Sequence, residues 1–175
     1  MRMIILLAVL ISISSCRNSQ HINQFVYSKV GKDIVISEEH FEDHQIRRID
    51  SLCNISNFII TTTVHDNACT SCYFSMLKDM DAVIDSCGCD IGCVVFIKNE
   101  IEEYASLQQQ YDLCHVLFIY DPDDYYSKDN RLEKYTADYR TFLIDANRII
   151  QLVGSPITNP SILKLYIKYA EENRK

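Results

Sequence analysis

Cys69 and Cys72 stand three positions apart between a strand-like run and a helix-like run, and this setting constrains the fold more than any other feature. The run Asn57-Phe-Ile-Ile-Thr-Thr-Thr-Val64 is rich in β-branched and aromatic residues and reads as a strand. After a short polar break, Phe74, Met76, Leu77, Met80, Val83 and Ile84 recur at helical spacing, which predicts a helix over 70–86. The cysteine pair therefore sits where a buried strand passes into a helix. The first turn of a helix has unpaired backbone N–H groups and the positive end of its dipole. A thiolate at Cys69 is favoured there, so its pKa should fall below that of a free cysteine. Cys72, one turn on, is close enough to resolve a mixed disulfide formed at Cys69.

The N-terminus addresses the chain outward. Arg2 supplies a positive start, and Ile4 to Ile13 is apolar apart from Ser12. At about 1.5 Å per residue this run is too short for a hydrocarbon core of roughly 30 Å, so it reads as a signal-peptide core. Ile13-Ser14-Ser15-Cys16 resembles a bacterial lipobox, with Ile13 where Leu is usual, and the resemblance implies cleavage before a lipidated Cys16. The alternative is an ordinary secretory signal with a chance cysteine. The expected organisation is a signal peptide over 1–15, a lipid-anchored tether and lead-in over 16–54, and one domain over 55–175. The expected location is the cell envelope, on a membrane and facing the periplasm.

Charge and cysteine content narrow the partners. Seventeen basic and 24 acidic residues give a formal net charge of −7, with no basic cluster for phosphate contacts, so nucleic acid is not an expected partner. Eight cysteines is a high count, and export permits disulfides. With Cys16 lipidated, Cys53, Cys69, Cys72, Cys87, Cys89, Cys93 and Cys114 remain, an odd set that cannot pair completely within one molecule.

Along the chain, residues 17–32 read as a flexible polar tether, Ile34-Val-Ile36 as a short strand, and Glu38 to Arg48 as a charged segment without a clear assignment. From Ile55 onward the elements alternate. Strand 57–64 and helix 70–86 are followed by strand 91–98, helix 99–112 with Asn99 as its N-cap, and an apolar run from His115 to Tyr120. Tyr125 to Asp138 is polar and tyrosine-rich, with a short helix expected at Asn130–Tyr135. Its tyrosines could line a groove or simply pack. Thr141–Ile144 and Ile149–Val153 read as a hairpin, and Pro160 starts a last helix to about Glu172. This order predicts an α/β domain: a central mixed sheet, helices on both faces, a terminal hairpin and a C-terminal helix.

From roughly Asn57 to Glu171 the chain resembles the thioredoxin-like superfamily, and more closely its bacterial membrane-tethered thiol-disulfide oxidoreductases and redoxin-like lipoproteins. The strand ending at Val64, Cys69-Thr-Ser-Cys72, the strand beginning Thr141-Phe-Leu-Ile-Asp145, Gly154 and the terminal helix carry that resemblance. It implies a thiol-disulfide oxidoreductase with Cys69 and Cys72 as the exchanging pair, a protein thiol or disulfide as partner, and no cofactor. Two positions depart from the pattern. Ala68 stands where thioredoxins carry Trp, and Arg140 stands where the superfamily places a cis-proline before the Thr of the Thr141 strand. The Tyr139–Arg140 bond is expected to be trans, since a non-proline cis bond costs about 2.5–4 kcal/mol. Arg140 could stabilise a thiolate at Cys69 or obstruct substrate docking, and Thr141 lies beside it. His65 could assist proton transfer or be an ordinary loop histidine. An alternative of a different class is a binding or scaffold lipoprotein in which Cys69–Cys72 is a structural disulfide. A peroxidase is a third option, and no Pro-x-x-x-Thr-x-x-Cys pattern precedes Cys69.

Cys87-Gly-Cys89-Asp-Ile-Gly-Cys93 could in principle bind a metal through thiolates. The Cys-x-Cys arm is unusual for structural zinc, so no metal site is expected. Cys93, beside Val94-Val-Phe96, reads as a small apolar core residue. A second disulfide among Cys53, Cys87, Cys89 and Cys114 is open, and its pairing is not readable from spacing.

Overall fold

The computed structural model describes residues 21–64, 70–98 and 101–174. Residues 21–29 form helix α1. There follow α2 (Asp43–Ile55), β1 (Phe58–Thr63), α3 (Thr70–Cys87), β2 (Ile91–Ile97), α4 (Ile101–Tyr111), β3 (Val116–Tyr120) and α5 (Tyr125–Asp129). A 3-10 turn at Ala137–Arg140 leads into β4 (Phe142–Asp145), β5 (Ile150–Val153) and α6 (Pro160–Glu172).

The five strands form one mixed sheet in the order β3-β2-β1-β4-β5. β1, β2 and β3 are parallel, whereas β4 runs antiparallel to β1 and β5 antiparallel to β4. The parallel strands are nearly unbroken apolar runs because helices cover both of their faces. On one face, Ile60, Cys93, Val95, Phe118 and Leu143 pack against Phe74, Leu77, Met80 and Ile84 of α3 and Leu163 and Tyr166 of α6. On the other, Ile59, Val94, Phe96, Ile119, Phe142 and Ile144 pack against Phe25, Ile34, Ile36, Phe41, Ile46 and Ile49. Asn159 caps α6 by accepting from the Ser161 N–H at 3.0 Å, with Pro160 in the first turn.

The elements from β1 onward fall close to their expected places, and the departures lie in the lead-in and the insert. Residues 21–29 are helical rather than an irregular tether, and Phe25 is buried, its ring stacked on Tyr135 with centroids 3.8 Å apart. Ile34-Val-Ile36 is not a strand; it has only an isolated bridge, Asp33 to Ile149. The reason is Asn130, whose side chain accepts from the Val35 N–H at 2.8 Å and donates to the Val35 carbonyl at 2.7 Å, so it takes the place of a strand neighbour. The charged segment resolves into α2, where Gln45, Ile46 and Ile49 are buried and the Glu42 N–H donates to Gln45 Oε1 at 3.3 Å.

The helix expected at 130–135 lies earlier, at Tyr125–Asp129. The Asp121 carboxylate accepts from the N–H groups of Tyr125 and Tyr126 at 2.8 and 2.9 Å and so starts the helix there. Arg131, at φ 56°, takes the chain out of it. The tyrosines of this insert do both: Tyr126 is fully buried on Phe96, whereas the half-buried Tyr135 and Tyr139 flank Phe25 and line a cavity of about 660 Å³ with His21 and Ile22.

Candidate functional site

The carboxyl ends of β1, β2 and β3 share one edge of the sheet, the usual place for a site in an open α/β sheet. β1 runs toward that edge through Thr61, Thr62 and Thr63, all buried, and α3 begins at Thr70. Ser71 and Cys72 are exposed in the first turn of α3, while Tyr73 and Phe74 turn into the core and anchor the helix. Cys72 therefore presents its thiol at the surface from a fixed backbone. His65, Asp66, Asn67, Ala68 and Cys69 lie outside the described residues, as do Cys16 with the whole of 1–20, and Asn99.

β4 enters the same edge from the other direction. With Thr61 opposite Phe142, Thr141 stands beside Thr62, and their hydroxyl oxygens are 2.7 Å apart. Thr141 donates to the Ala137 carbonyl at 2.8 Å, which leaves Thr62 to donate to Thr141. Tyr126 donates to Thr61 Oγ1 at 2.9 Å and pins the insert to the same strand. A row of three threonines in an otherwise apolar strand is the sequence signal for this hydroxyl network. Tyr73 Oη and Thr63 Oγ1 are buried here with no hydrogen-bond partner among the described residues.

Arg140 precedes Thr141, and its guanidinium is committed to the insert. Nε donates to the Tyr135 carbonyl and Nη2 to the Glu133 carbonyl, both at 2.7 Å, and Nη1 lies 3.7 Å from the Asp124 carboxylate. Asp124 also pairs with Lys98 at 3.4 Å. The 3-10 turn held by these contacts brings the chain to β4, with no cis peptide bond among the described residues; the Tyr139–Arg140 bond is trans, as its chemistry requires.

The other described cysteines differ in burial and in the charges around them. Cys93 is fully buried in β2, and burial, reinforced by the Asp81 charge, pushes its thiol far up. It fills space as an apolar residue does. Cys53 is half-buried and its thiol is raised chiefly by burial. Cys114 is exposed, and the neighbouring Asp112 carboxylate is the main cause of its raised pKa. Cys87 and Cys89 are joined as a disulfide, so their sulfurs are not available to a metal in this form. Among the described residues no cluster of three metal-ligating side chains occurs.

The mixed sheet, the two helical layers and the cysteine-bearing helix start together define a thioredoxin-like fold. No family model matches the chain, and no curated protein matches it in sequence. Solved structures do match. The peroxidoxin BcpB from Mycobacterium tuberculosis is 12% identical, with 73% of this chain and 86% of that one covered at a TM-score of 0.51. Bacterioferritin comigratory protein from Xanthomonas campestris is 10% identical over 69% and 82% of the two chains, with a TM-score of 0.49. A thiol:disulfide interchange protein from Bacteroides sp. is 7% identical over 73% and 80%, with a TM-score of 0.48.

Proposed function

We propose that this chain is an exported, lipid-anchored protein that exchanges dithiol and disulfide with a protein partner through Cys69 and Cys72. The observation that carries the reading is the exposed Cys72 thiol in the first turn of α3, at the carboxyl edge of the central strand. The Cys69 thiolate attacks a partner disulfide, and one partner sulfur leaves as a thiolate. Cys72 then attacks the mixed disulfide, which frees the second partner thiol and leaves Cys69–Cys72 oxidised. A protein dithiol returns the two electrons. The Arg140 guanidinium is held within the insert by the Tyr135 and Glu133 carbonyls and by Asp124.

The test is disulfide reductase activity on a model protein disulfide with wild type, Cys69→Ser and Cys72→Ser. The expected result is loss of turnover in both variants, with a trapped mixed disulfide in Cys72→Ser. Equal rates in all three would overturn the catalytic reading. If the pair instead resists a glutathione buffer, with a potential below about −300 mV, it is a structural bridge in a binding lipoprotein. Turnover of hydrogen peroxide without turnover of the disulfide would move the protein to the peroxidase class. For the anchor, Cys16→Ser should release the protein from the membrane fraction, and an unchanged distribution would remove the lipid from the proposal.

A further inference from the structure

The structure assigns a second thiol–disulfide couple to this chain: Cys87–Cys89, at the far end of α3, poised to exchange with an external dithiol and held in place by Arg174. It stands whether or not Cys69 and Cys72 exchange. Cys72 and Cys87 are at opposite ends of the 18-residue α3, about 20 Å apart at 1.5 Å per residue, too far for direct transfer between them.

Three observations carry the assignment. First, the bridge does little for the fold. It joins the last residue of α3 to the turn that follows, ties no two elements together, and spans a sequence separation of only 2. A loop that short removes little freedom from the unfolded chain compared with a long one. The bridge joins no two elements of the sheet or its helices, so both redox forms fit the same fold. Second, both cysteines are half-buried rather than sealed in the core, and Gly88 between them has φ +59° with open space where a Cβ would stand. A reagent can approach the bridge over this turn. Third, the end of the chain folds back on the bridge. Arg174 Nη2 donates to the Gly88 carbonyl at 2.8 Å and lies 3.6 Å from Asp90, and Cys89 lines the same small cleft as Arg174, Phe58 and Ala170.

These contacts distinguish the two sulfurs. Cys87 lies at the C-terminus of α3, where the helix dipole disfavours an anion. Cys89 lies beyond the helix, clear of that dipole, in a cleft that holds the Arg174 guanidinium together with the Asp90 and Glu171 carboxylates. The dipole at Cys87 makes Cys89 the better leaving group, and attack falls on Cys87. A thiolate of the external dithiol attacks Cys87 Sγ. The Sγ–Sγ bond breaks, and its electron pair leaves on Cys89. The second thiolate of the dithiol attacks the mixed disulfide and frees Cys87. The dithiol is oxidised to a disulfide by two electrons, the cysteine pair is reduced by two, and the two protons of the dithiol end on Cys87 and Cys89. In reverse, the Cys89 thiolate opens an external disulfide and Cys87 closes the ring.

The experiment uses the full-length chain carrying Cys69→Ser and Cys72→Ser, so that its outcome is independent of the proposed function. The protein is equilibrated with mixtures of reduced and oxidised glutathione, quenched by alkylation and mapped by peptide mass spectrometry, with circular dichroism recorded alongside. The expected result is reversible opening of Cys87–Cys89 within the glutathione range while the folded spectrum is unchanged. A bridge that stays closed, or opens only as the protein unfolds, would overturn the proposal. So would recovery of Cys87 and Cys89 as unpaired thiols from air-oxidised protein. Arg174→Gln should slow exchange about 3–10-fold and move the alkylation profile of Cys89 to higher pH, with Arg174→Lys restoring part of both. Unchanged rates and profile in Arg174→Gln would remove Arg174 from the assignment.

Discussion

Asp121 shows how one side chain sets the geometry of the insert. It is 2% exposed at the end of β3, and its carboxylate collects the N–H groups of Tyr125 and Tyr126. Burial pushes its pKa above the ordinary carboxylate value, and the two backbone hydrogen bonds act the other way without cancelling the effect. A carboxyl whose pKa is higher folded than unfolded holds its proton more tightly in the folded state. Its stabilising contribution is present below the unfolded pKa and is lost as pH rises through the folded one. Asp121→Asn removes that titration and one of the two acceptor oxygens. The stability advantage of wild type over Asp121→Asn, from urea unfolding midpoints, should therefore grow as pH falls from 7 into the carboxylate range. An advantage that shrinks on acidification would mean that the hydrogen bonds outweigh burial. Residue chemistry of this kind was only partly legible beforehand. Cys93 reads correctly as core filler from its neighbours Val94-Val-Phe96, because burial on a two-faced strand follows from local pattern. The commitment of Arg140 to two carbonyls of the insert does not, because it depends on how residues 133–135 fold back.

At the scale of elements, the periodic segments were readable and the aperiodic ones were not. β1, α3, β2, β3, the β4–β5 hairpin and α6 each bury an apolar pattern of strand or helix period. α2 is not legible in the sequence because much of its length is charged and its buried stripe is narrow: Gln45, Ile46 and Ile49. The Ile34–Ile36 segment misled for the opposite reason. It has a strand-like pattern, but the Ile34 N–H donates to the Arg148 carbonyl and the backbone partner of Val35 is the Asn130 side chain, remote in sequence. How closely α2 is fitted is visible at Gly92, where an added Cβ would stand 2.8 Å from Leu52 Cγ and Cδ1. The glycine in β2 thus admits the helix to the sheet. Gly92→Ala should destabilise the protein by about 1–3 kcal/mol through overpacking. Leu52→Ala in the same chain should recover part of that loss, with a coupling of about 1 kcal/mol or more in a double-variant cycle. Purely additive effects in denaturant titrations would mean that the helix shifts freely and that the close fit has no energetic weight.

The whole molecule depends on segments that the sequence presents as peripheral. The face of the sheet opposite α3 presents Ile59, Val94, Phe96, Ile119 and Ile144, and among the described residues from 55 onward, apart from the strands themselves, it is the insert that reaches this face. Phe25, Ile34, Ile36, Phe41, Ile46 and Ile49 close that face, all of them from residues 21–54. Covering a sheet on both faces is what makes nearly continuous apolar parallel strands soluble. A resemblance that begins at Asn57 identifies the alternating half of the fold and is silent on this cover, since α1 and the segment before α2 carry few apolar residues each. The cover supplies six large side chains, and fully burying one such side chain is worth roughly 1.5–3 kcal/mol, so its sum is comparable with the whole stability of a domain, about 5–15 kcal/mol. The fragment 21–175 should therefore unfold cooperatively in urea with a native near-ultraviolet spectrum. The fragment 55–175 should lack that spectrum, bind a hydrophobic dye and aggregate through its open face. Adding a peptide of residues 21–54 should restore at least part of the native signal, because the missing surface is a contiguous stretch of chain. A 55–175 fragment with native spectra and a cooperative transition would show that the sheet is held from the α3–α6 side alone.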